Sequence, residues 1–508
     1  MNVGQWLSKR SLFSPEKIAV VFNEKKLTYR EMNRRVNRLS RALLHLGLKP
    51  GDRVGIISRN NPELLEIYFA CAKTGMIFVP LNFRLAPPEL AFQILDSGLR
   101  TLFVDAEQQT LTDKSHPSFS GINPHMIGLS TPLDDGGLFY EDLIQNQSDE
   151  EPPLPEDLVT WESPQMIMYT SGTTGRPKGV LLSQQKTLFN TLNAQIFFDL
   201  ISSDITLAVL PLFHSGALNI MSIPTLYAGG TLVLKSRYDP KEFLELIEDH
   251  KVTQSLLVPT MLNTLLKEAL PEEYGLSSLR TVLVGGEPVS ADLMHQALDL
   301  GLPVRQIFGQ TESSILLWVP PEKAREKTGA GGLPVFHGEV KVVNRHGQKV
   351  SSGEIGEIIV KGPIQMMGYW NAPEETRKII KDGWLYTGDL GRIDEEGFVY
   401  LVDRKKDMYI SGGENVYPAE VEKVLLSHPK IREAAVIGVP DEKWGRAGKA
   451  FLSLIRDESL DYEAMVQFLK SRIASYKIPK WLEILEDLPK TASGKIKKRI
   501  LKERPFKE

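Results

Sequence analysis

The sequence has few of the residues and patterns that mark several protein classes. It contains 508 residues but a single cysteine, Cys71, which excludes a disulfide framework and any cysteine-rich zinc or iron–sulfur site. Cys71 lies in the apolar run 65–72, and we interpret it as a buried hydrophobic residue rather than a nucleophile. The nine histidines show no metal-ligand spacing, which argues against a zinc site. The absence of a Gly-x-Ser-x-Gly motif argues against an α/β-hydrolase.

Strong net charge and long hydrophobic runs are also lacking. Lys plus Arg number 60 and Asp plus Glu 64, so the net charge of -4 gives no general attraction to nucleic acid or to an anionic membrane. No uncharged apolar stretch approaches about 18 residues, and the first residues have no basic segment followed by an apolar one. We therefore expect a soluble, cytoplasmic protein with no membrane span. Its length exceeds what one hydrophobic core organises, which predicts two or more domains.

Strand-like and helical patterns alternate in the first two thirds of the chain. Thr28 and Glu31 form a capping-box signal for an amphipathic helix through Leu46. The same alternation continues in further segments: strands at 53–58, 77–81, 231–234, 255–258 and 281–286, with helices from Pro62 and over 240–250. This pattern predicts an α/β fold of parallel strands joined by crossover helices.

After about Gly338 the pattern changes to short strands separated by glycine turns. The segments 339–343, 356–360 and 397–401 predict an antiparallel β subdomain. Strands and helices then alternate over roughly 100 residues, enough for a separate small α+β domain. The predicted fold class is α/β, with a large N-terminal domain of α/β sheet subdomains plus a β subdomain (1–403), a hinge (404–406) and a small mobile C-terminal α+β domain (407–508).

The most informative segment runs from Met168 to Gly179. It combines four Ser and Thr hydroxyls, three glycines and two cations. Together these offer backbone N–H groups, side-chain donors and positive charge to a polyphosphate. It is not a Walker A loop, because Pro177 precedes Lys178 and a strand follows where that motif requires a helix. The segment therefore predicts a phosphate-binding loop between two strands.

This segment resembles the phosphate loop of the AMP-forming acyl- and aryl-CoA synthetases, the superfamily that includes peptide-synthetase adenylation domains and firefly luciferase. The resemblance extends along nearly the whole chain in the family's order. The further matching segments are 27–31, 78–82, 211–214, 285–288, 308–312, 386–389, 403–404 and 489–495. Eight matches in sequence order make the resemblance specific.

The resemblance implies a two-step reaction. A carboxylate attacks the α-phosphate of ATP to give an acyl-adenylate and pyrophosphate, and a thiol then displaces AMP. ATP, Mg²⁺ and CoA as co-substrate are the implied ligands. The implied nucleotide-binding residues are Thr170, Ser171, Gly172, Thr173, Thr174, Gly175, Lys178, Gly286, Glu287, Pro288, Phe308, Gly309, Asp389 and Arg404.

The family pattern also suggests individual roles for the nucleotide-binding groups. Glu312 matches a carboxylate near Mg²⁺, and Thr311 can donate to the α-phosphate. Phe308 offers an aromatic face to adenine. Asp389 matches the carboxylate that binds the ribose hydroxyls, and Arg404 a basic residue near ribose and phosphate.

The resemblance also implies which residues take part in domain movement and thioester formation. Lys495 matches the lysine that bridges the carboxylate and the α-phosphate, so the two domains must close for adenylation. Lys406 matches the hinge residue, which absorbs the backbone change when the small domain rotates. Gly412 and Gly413 match the segment that lines the pantetheine tunnel, and Arg237 matches a basic position for CoA phosphates.

The acyl site is the least determined by sequence. His214 matches a position between the acyl group and the thiol path, where we favour a positioning role over a general base. The other implied substrate residues are Gly216, Ala217, Gly285, Gln310 and Leu317. Because no acidic residue stands where an amino group would be held, we expect a fatty, alicyclic or aromatic acid rather than an amino acid.

Three functions remain open at this point. The leading hypothesis is a carboxylic acid–CoA ligase that consumes ATP. The alternative is an adenylating enzyme that loads a carrier-protein thiol. A non-catalytic nucleotide-binding protein is the third, although Lys495, Glu312 and Asp389 together argue against it. The sequence leaves a homodimer open.

Overall fold

The computed structural model describes residues 2–112, 119, 123–133, 137–153, 157–170, 177–269, 271–286, 289–411, 414–441, 443–470, 472–491 and 494–504. Its contacts divide the chain into two compact units, which are residues 1–340 with 360–385, and 341–359 with 386–508. The hinge expected at 404–406 stays a prediction.

The first unit contains a nine-stranded sheet. Its strands in spatial order are Leu333–Pro334, Ser314–Trp318, Val304–Gln310, Thr281–Val284, Gln254–Leu257, Ile205–Ala208, Thr231–Leu234, Ile18–Phe22 and Lys25–Thr28. The six strands from Val304–Gln310 to Ile18–Phe22 pair in parallel, and the edges pair antiparallel. This confirms the expectation of parallel strands linked by helices.

An eight-stranded sheet lies in the same unit. Its strands in spatial order are Gly368–Tyr369, Lys178–Ser183, Pro164–Thr170, Ile77–Leu81, Arg53–Ile57, Leu99–Val104, His125–Gly128 and Leu138–Phe139. The first three pair antiparallel and the others in parallel. The segment expected to bind phosphate therefore joins two antiparallel strands, as the sequence predicted.

Helices connect these strands. The α-helices of the first unit are Gly4–Phe13, Tyr29–His45, Pro62–Thr74, Pro87–Ser97, Tyr140–Gln145, Gln184–Phe198, Ile223–Ala228, Pro240–His250, Pro259–Glu268, Ala291–Asp299 and Pro373–Ile379. Shorter helical segments are the π-helix Gly216–Ser222 and the 3₁₀ turns Ala106–Thr112, Pro271–Glu273 and Pro321–Lys323. The capping box is confirmed, because the Thr28 hydroxyl accepts from the Glu31 N–H while Glu31 accepts from the Thr28 N–H.

The cores of the first unit lie on the faces of its sheets. Parallel strands that are covered on both faces become continuous apolar runs, and Ile77–Leu81 is buried at every position. Cys71 belongs to the buried helix Pro62–Thr74 and is fully enclosed, so the interpretation as a core residue is confirmed.

The second unit has antiparallel and mixed sheets. Strands Glu339–Val343, Ile355–Lys361 and Trp384–Ile393 run through the division between the units, with Ile380–Lys381 in the first unit and Val399–Arg404 in the second. The strands that follow are the hairpin Tyr409–Ser411 and Glu414–Val416, and the three-stranded sheet of Ile431–Asp441, Gly445–Leu454 and Trp481–Ile484. The helices are Pro418–Leu426, Tyr462–Lys470, Ser475–Lys477 (3₁₀) and Lys498–Lys502.

The three-stranded sheet of the second unit is buried on both faces. Ala434 and Val436 belong to one apolar cluster, whereas Ala435, Ile437 and Val439 belong to another. This alternation is the period of two that a strand imposes on its side chains.

No helix within the described residues is both long and apolar enough to cross a bilayer.

Candidate functional site

The expected phosphate loop is closed at its base by a pair of strands. Thr170 and Lys178 lie directly opposite each other in the antiparallel ladder. The expected phosphate ligands Ser171, Gly172, Thr173, Thr174 and Gly175 lie outside the described residues. The ladder therefore brings the first and last expected ligands of the loop together at one end of the sheet.

The Lys178 ammonium group has two described neighbours. Its Nζ lies 2.5 Å from Glu375 Oε2 and 4.9 Å from the centre of the Tyr369 ring. Hydrogen bonds from Lys178 and Lys378 lower the pKa of Glu375 to about 2, so this carboxylate stays ionised across the physiological range. Lys178, which the sequence predicts to bind phosphate, is therefore paired with a carboxylate.

Glu312 lies in the turn between strands Val304–Gln310 and Ser314–Trp318. Its Oε1 accepts a hydrogen bond from the Tyr369 hydroxyl at 3.0 Å, and its backbone carbonyl accepts from the Met366 N–H at 2.7 Å. The side chain is half-buried. Because Mg²⁺ in ATP sites is held mainly by phosphate oxygens with one or two carboxylates, a single carboxylate fits this ion. Within the described residues no cluster of three or more potential metal ligands occurs.

The strand before Glu312 carries three of the expected residues, and Thr311 follows in the turn. Phe308, Gly309, Gln310 and Thr311 are all half-buried, so the face of Phe308 is partly accessible. A Cβ at Gly309 would overlap the Ser314 carbonyl oxygen, which explains the glycine at this bulge in the ladder.

Lys186 is a functional candidate that the sequence analysis missed. It is 2 % exposed, and its Nζ donates to the Ser314 hydroxyl. Burial lowers the pKa of Lys186 to about 7, although the negative charge of Glu312 opposes the shift. A buried cation thus lies within electrostatic reach of the expected magnesium carboxylate. Its position, three residues after the helix N-cap Ser183, gave no signal that it would be buried.

Three of the expected acyl residues, His214, Gly216 and Ala217, follow the strand Ile205–Ala208 of the nine-stranded sheet. The His214 N–H donates to the Pro211 carbonyl at 3.0 Å, and the His214 ring lies 4.2 Å from that of Phe213. Gly216 and Ala217 begin the π-helix, a distortion that is frequent at functional sites. Gly216 is open, since a Cβ there would meet a single atom, Leu256 Cδ2, at 3.5 Å.

The other expected acyl residues are more enclosed. A Cβ at Gly285 would lie 2.7 Å from the Ile307 carbonyl oxygen, so close packing of neighbouring strands already requires this glycine. Gly286 is exposed and has a φ of +87°. Leu317 is fully buried in its strand. Glu287 and Pro288 lie outside the described residues.

Arg237 follows the strand Thr231–Leu234 and precedes the helix Pro240–His250. Its side chain is 68 % exposed, with a guanidinium nitrogen 3.7 Å from Glu107. This exposure leaves the guanidinium accessible to an anionic ligand.

In the second unit, Asp389 and Arg404 form a cross-strand pair. They are register partners in the antiparallel ladder, and Arg404 Nε lies 2.5 Å from Asp389 Oδ1. Asp389 is 6 % exposed, and its N–H donates to the Thr387 hydroxyl at 3.1 Å. Two residues 15 positions apart in sequence are therefore brought together by the strand pairing.

Lys406 lies in the turn that follows Arg404. The N–H groups of Asp407 and Met408 donate to the Arg404 carbonyl at 2.9 and 3.2 Å, respectively, and the Lys406 side chain is exposed. Gly412 and Gly413 lie outside the described residues, between the paired strands Tyr409–Ser411 and Glu414–Val416.

Lys495 lies in a short exposed loop. Its N–H donates to the Thr491 hydroxyl at 3.0 Å, and its carbonyl accepts from the Thr491 N–H at 2.7 Å. Gly494 has a φ of +93°, a conformation that favours glycine. These bonds fix the backbone of the loop and leave the Lys495 side chain exposed.

Comparison with known protein families gives two matches. Residues 8–370 match the family described as AMP-binding enzyme, and residues 420–495 match the AMP-binding enzyme C-terminal domain.

Individual relatives match the chain along nearly its whole length. The feruloyl-CoA synthase of Amycolatopsis sp is 40% identical over 99% of both chains. The indoleacetate–CoA ligase of Aromatoleum aromaticum is 37% identical, over 98% of this chain and 97% of that protein. Among solved structures, the o-succinylbenzoate CoA synthetase of Bacillus subtilis in complex with its acyl-adenylate intermediate is 34% identical, covers 99% of both chains and has a TM-score of 0.88.

Proposed function

Because the chain belongs to the family of AMP-binding enzymes, we propose that it is an acid–CoA ligase whose preferred acid carries an aromatic ring. The observation that carries this proposal is the agreement among relatives aligned over 97% or more of their own length, whose named acids, ferulate, indoleacetate and succinylbenzoate, are all aromatic. The open space at Gly216, where a Cβ would meet only Leu256 Cδ2, leaves room for a ring at this position.

The first half-reaction brings an anion to a polyanion, so positive charge and fixed geometry dominate its catalysis. We assign Lys178 to the departing phosphates and Glu312 to the Mg²⁺ that accompanies ATP and neutralises phosphate charge. Lys495 bridges the carboxylate of the acid and the α-phosphate, so that the carboxylate oxygen bonds to phosphorus while pyrophosphate leaves.

Binding of the ribose is assigned to the second unit. Asp389 accepts hydrogen bonds from the ribose hydroxyls, and Arg404, which is paired with it at 2.5 Å, holds the carboxylate in position. In the second half-reaction the CoA sulfur bonds to the acyl carbon and AMP leaves. The movement of the C-terminal domain between the two steps stays a prediction, as does a homodimer.

The test is AMP release with ATP, Mg²⁺ and CoA against matched acids. The panel contains hydroxycinnamic, indoleacetic and benzoic acids, linear acids of six to sixteen carbons, cyclohexanecarboxylic acid and aromatic amino acids, each repeated without CoA. We expect kcat/KM for one aromatic class to exceed that of every linear acid by at least tenfold. A preference for linear acids would contradict the proposal.

The thiol acceptor is tested in the same assay. If an acid supports ATP–pyrophosphate exchange while CoA leaves AMP release unchanged, the acceptor is a carrier-protein thiol instead, and adding a phosphopantetheinylated carrier protein should restore turnover.

A further inference from the structure

Tyr369 contacts both of the charged groups assigned to the polyphosphate and its metal. Its hydroxyl donates to Glu312 Oε1 at 3.0 Å, and its ring centre lies 4.9 Å from Lys178 Nζ. One aromatic side chain thus touches a carboxylate through its polar end and an ammonium group through its face. The sequence analysis gave this residue no role.

The position of Tyr369 is fixed by the backbone around it. Its strand pairs with Lys178–Ser183, with Tyr369 opposite Val180. The Tyr369 N–H donates to the Thr376 hydroxyl at 2.8 Å, and the next residue, Trp370, donates to the Gly179 carbonyl at 2.7 Å. The strand that carries Lys178 therefore also fixes the backbone of Tyr369, whose ring contacts the Lys178 ammonium group.

Glu375 completes this arrangement. It pairs with Lys178 from the helix that starts four residues after Tyr369. When a polyphosphate takes the place of Glu375, the ring of Tyr369 continues to support the ammonium group. The ring thereby keeps Lys178 within the site while its ionic partner changes.

We propose that Tyr369 is a positioning residue for the adenylation half-reaction, whose hydroxyl orients Glu312 for the metal and whose ring orients Lys178 for the phosphates. This inference rests on the proposed function. The two parts of the side chain have separate tasks, so they can be removed separately.

The experiment compares Tyr369→Phe, which removes the hydroxyl alone, with Tyr369→Leu, which also removes the ring. The matched control is Tyr140→Phe, because the Tyr140 hydroxyl also donates to a carboxylate, that of Glu66, within a buried cluster of the same unit. Binding of ATP is measured by titration calorimetry at a series of Mg²⁺ concentrations, and pyrophosphate exchange is measured with the preferred acid.

For Tyr369→Phe we expect the Mg²⁺ concentration for half-saturation to rise about three- to tenfold, with unchanged binding of ATP in the absence of metal. For Tyr369→Leu we expect a further loss of about three- to tenfold in ATP affinity that persists without metal. Conversion of supplied acyl-adenylate to thioester should be unchanged in both variants.

Equal Mg²⁺ dependence in Tyr369→Phe, Tyr140→Phe and the unaltered enzyme would overturn the proposal. If Tyr369→Leu fails to fold, as judged by circular dichroism, Tyr369→Met replaces it, because it also removes the aromatic face. This variant should show the same loss of ATP affinity without metal, and unchanged affinity would contradict the role of the ring. Calorimetry needs no acid, so failure of the proposed acid class leaves the result for Tyr369 intact.

Discussion

The charged side chains of the candidate site are supported differently in the two units. In the first, Lys178 and Glu312 are half-buried and bonded to Glu375 and Tyr369, respectively. In the second, Lys495 extends from an exposed loop whose bonds involve the backbone. The difference lies in burial: the groups assigned to the polyphosphate and its metal are partly enclosed by neighbouring side chains, whereas the side chain assigned to bridge the two anions is exposed.

Replacing Lys495 should have the largest effect. It tests the exposed group in this comparison. We expect Lys495→Met to slow acid-dependent pyrophosphate exchange by about 100-fold or more, because the charge between two anions is lost. Thioester formation from supplied acyl-adenylate should be retained. Lys497→Met is the control in the same loop, and equal loss in both variants or in both half-reactions would refute the assignment.

Asp389 is a buried group of the second unit that is paired with another side chain, as the two groups of the first unit are. We expect Asp389→Asn to weaken AMP binding about tenfold, because a charge-assisted hydrogen bond to ribose becomes a neutral one while the shape is kept. The control is Asp487→Asn, which alters another arginine-paired aspartate of that unit, paired with Arg432 at 2.7 Å. Calorimetry with AMP measures both. Unchanged affinity in Asp389→Asn would show that the pair with Arg404 is purely structural.

Lys186 extends the comparison to a fully buried cation of the first unit. Its ammonium group donates a hydrogen bond to the Ser314 hydroxyl. Its folded-state pKa of about 7 is lower than the ordinary value of 10.5, so between these pH values the unfolded chain binds more protons. Stability should therefore rise with pH from about 7 to about 10.

Lys186→Met should raise stability at pH 7 by about 1 kcal/mol or more and remove this contribution to the pH dependence. Thermal unfolding at pH 6.5, 7.5 and 8.5 measures both effects. The exposed helical Lys241→Met is the control and should change stability by less than about 0.5 kcal/mol. A wild-type stability that falls over this interval while that of Lys186→Met stays level would contradict the prediction.

Treatment of Cys71 with a thiol reagent should give the smallest effect, since this uncharged side chain is buried in the first unit. Burial raises the pKa of its thiol, so the reactive thiolate is disfavoured. We expect iodoacetamide at pH 7.5 to leave the folded protein unmodified by mass spectrometry and its pyrophosphate exchange unchanged. Rapid modification with parallel loss of exchange would place this thiol near the site.

Much of the fold was predictable because it rests on local signals. The strand Ile77–Leu81 and the helix Pro240–His250 have the predicted bounds. The helix start carries a strong local signal, the N-cap Asp239 followed by Pro240. Strand 281–286 was predicted two residues too long, because Gly285 and Gly286 continue its apolar character after the ladder ends at Val284.

Motifs in the sequence carry the assignments of Lys178, Glu312 and Lys495, and these assignments stay predictions. The contacts of Tyr369 and Lys186 were not predictable. Tyr369 is 57 residues from Glu312, and Lys186 is 128 residues from Ser314. Tyr369 and the strands that flank Glu312 belong to different sheets, and Lys186 lies on the helix Gln184–Phe198. Tertiary packing brings such residues together, and no local pattern encodes it.

The hairpin formed by Ile18–Phe22 and Lys25–Thr28 at one edge of the nine-stranded sheet has a consequence for biosynthesis. Val20 pairs with Leu232, so the early hairpin is made long before its neighbour. At the usual rate of translation the delay is roughly 10 to 40 seconds. During that interval the apolar strand has an unsatisfied edge, which makes the nascent chain a client for chaperones that bind such segments until the sheet can close over it.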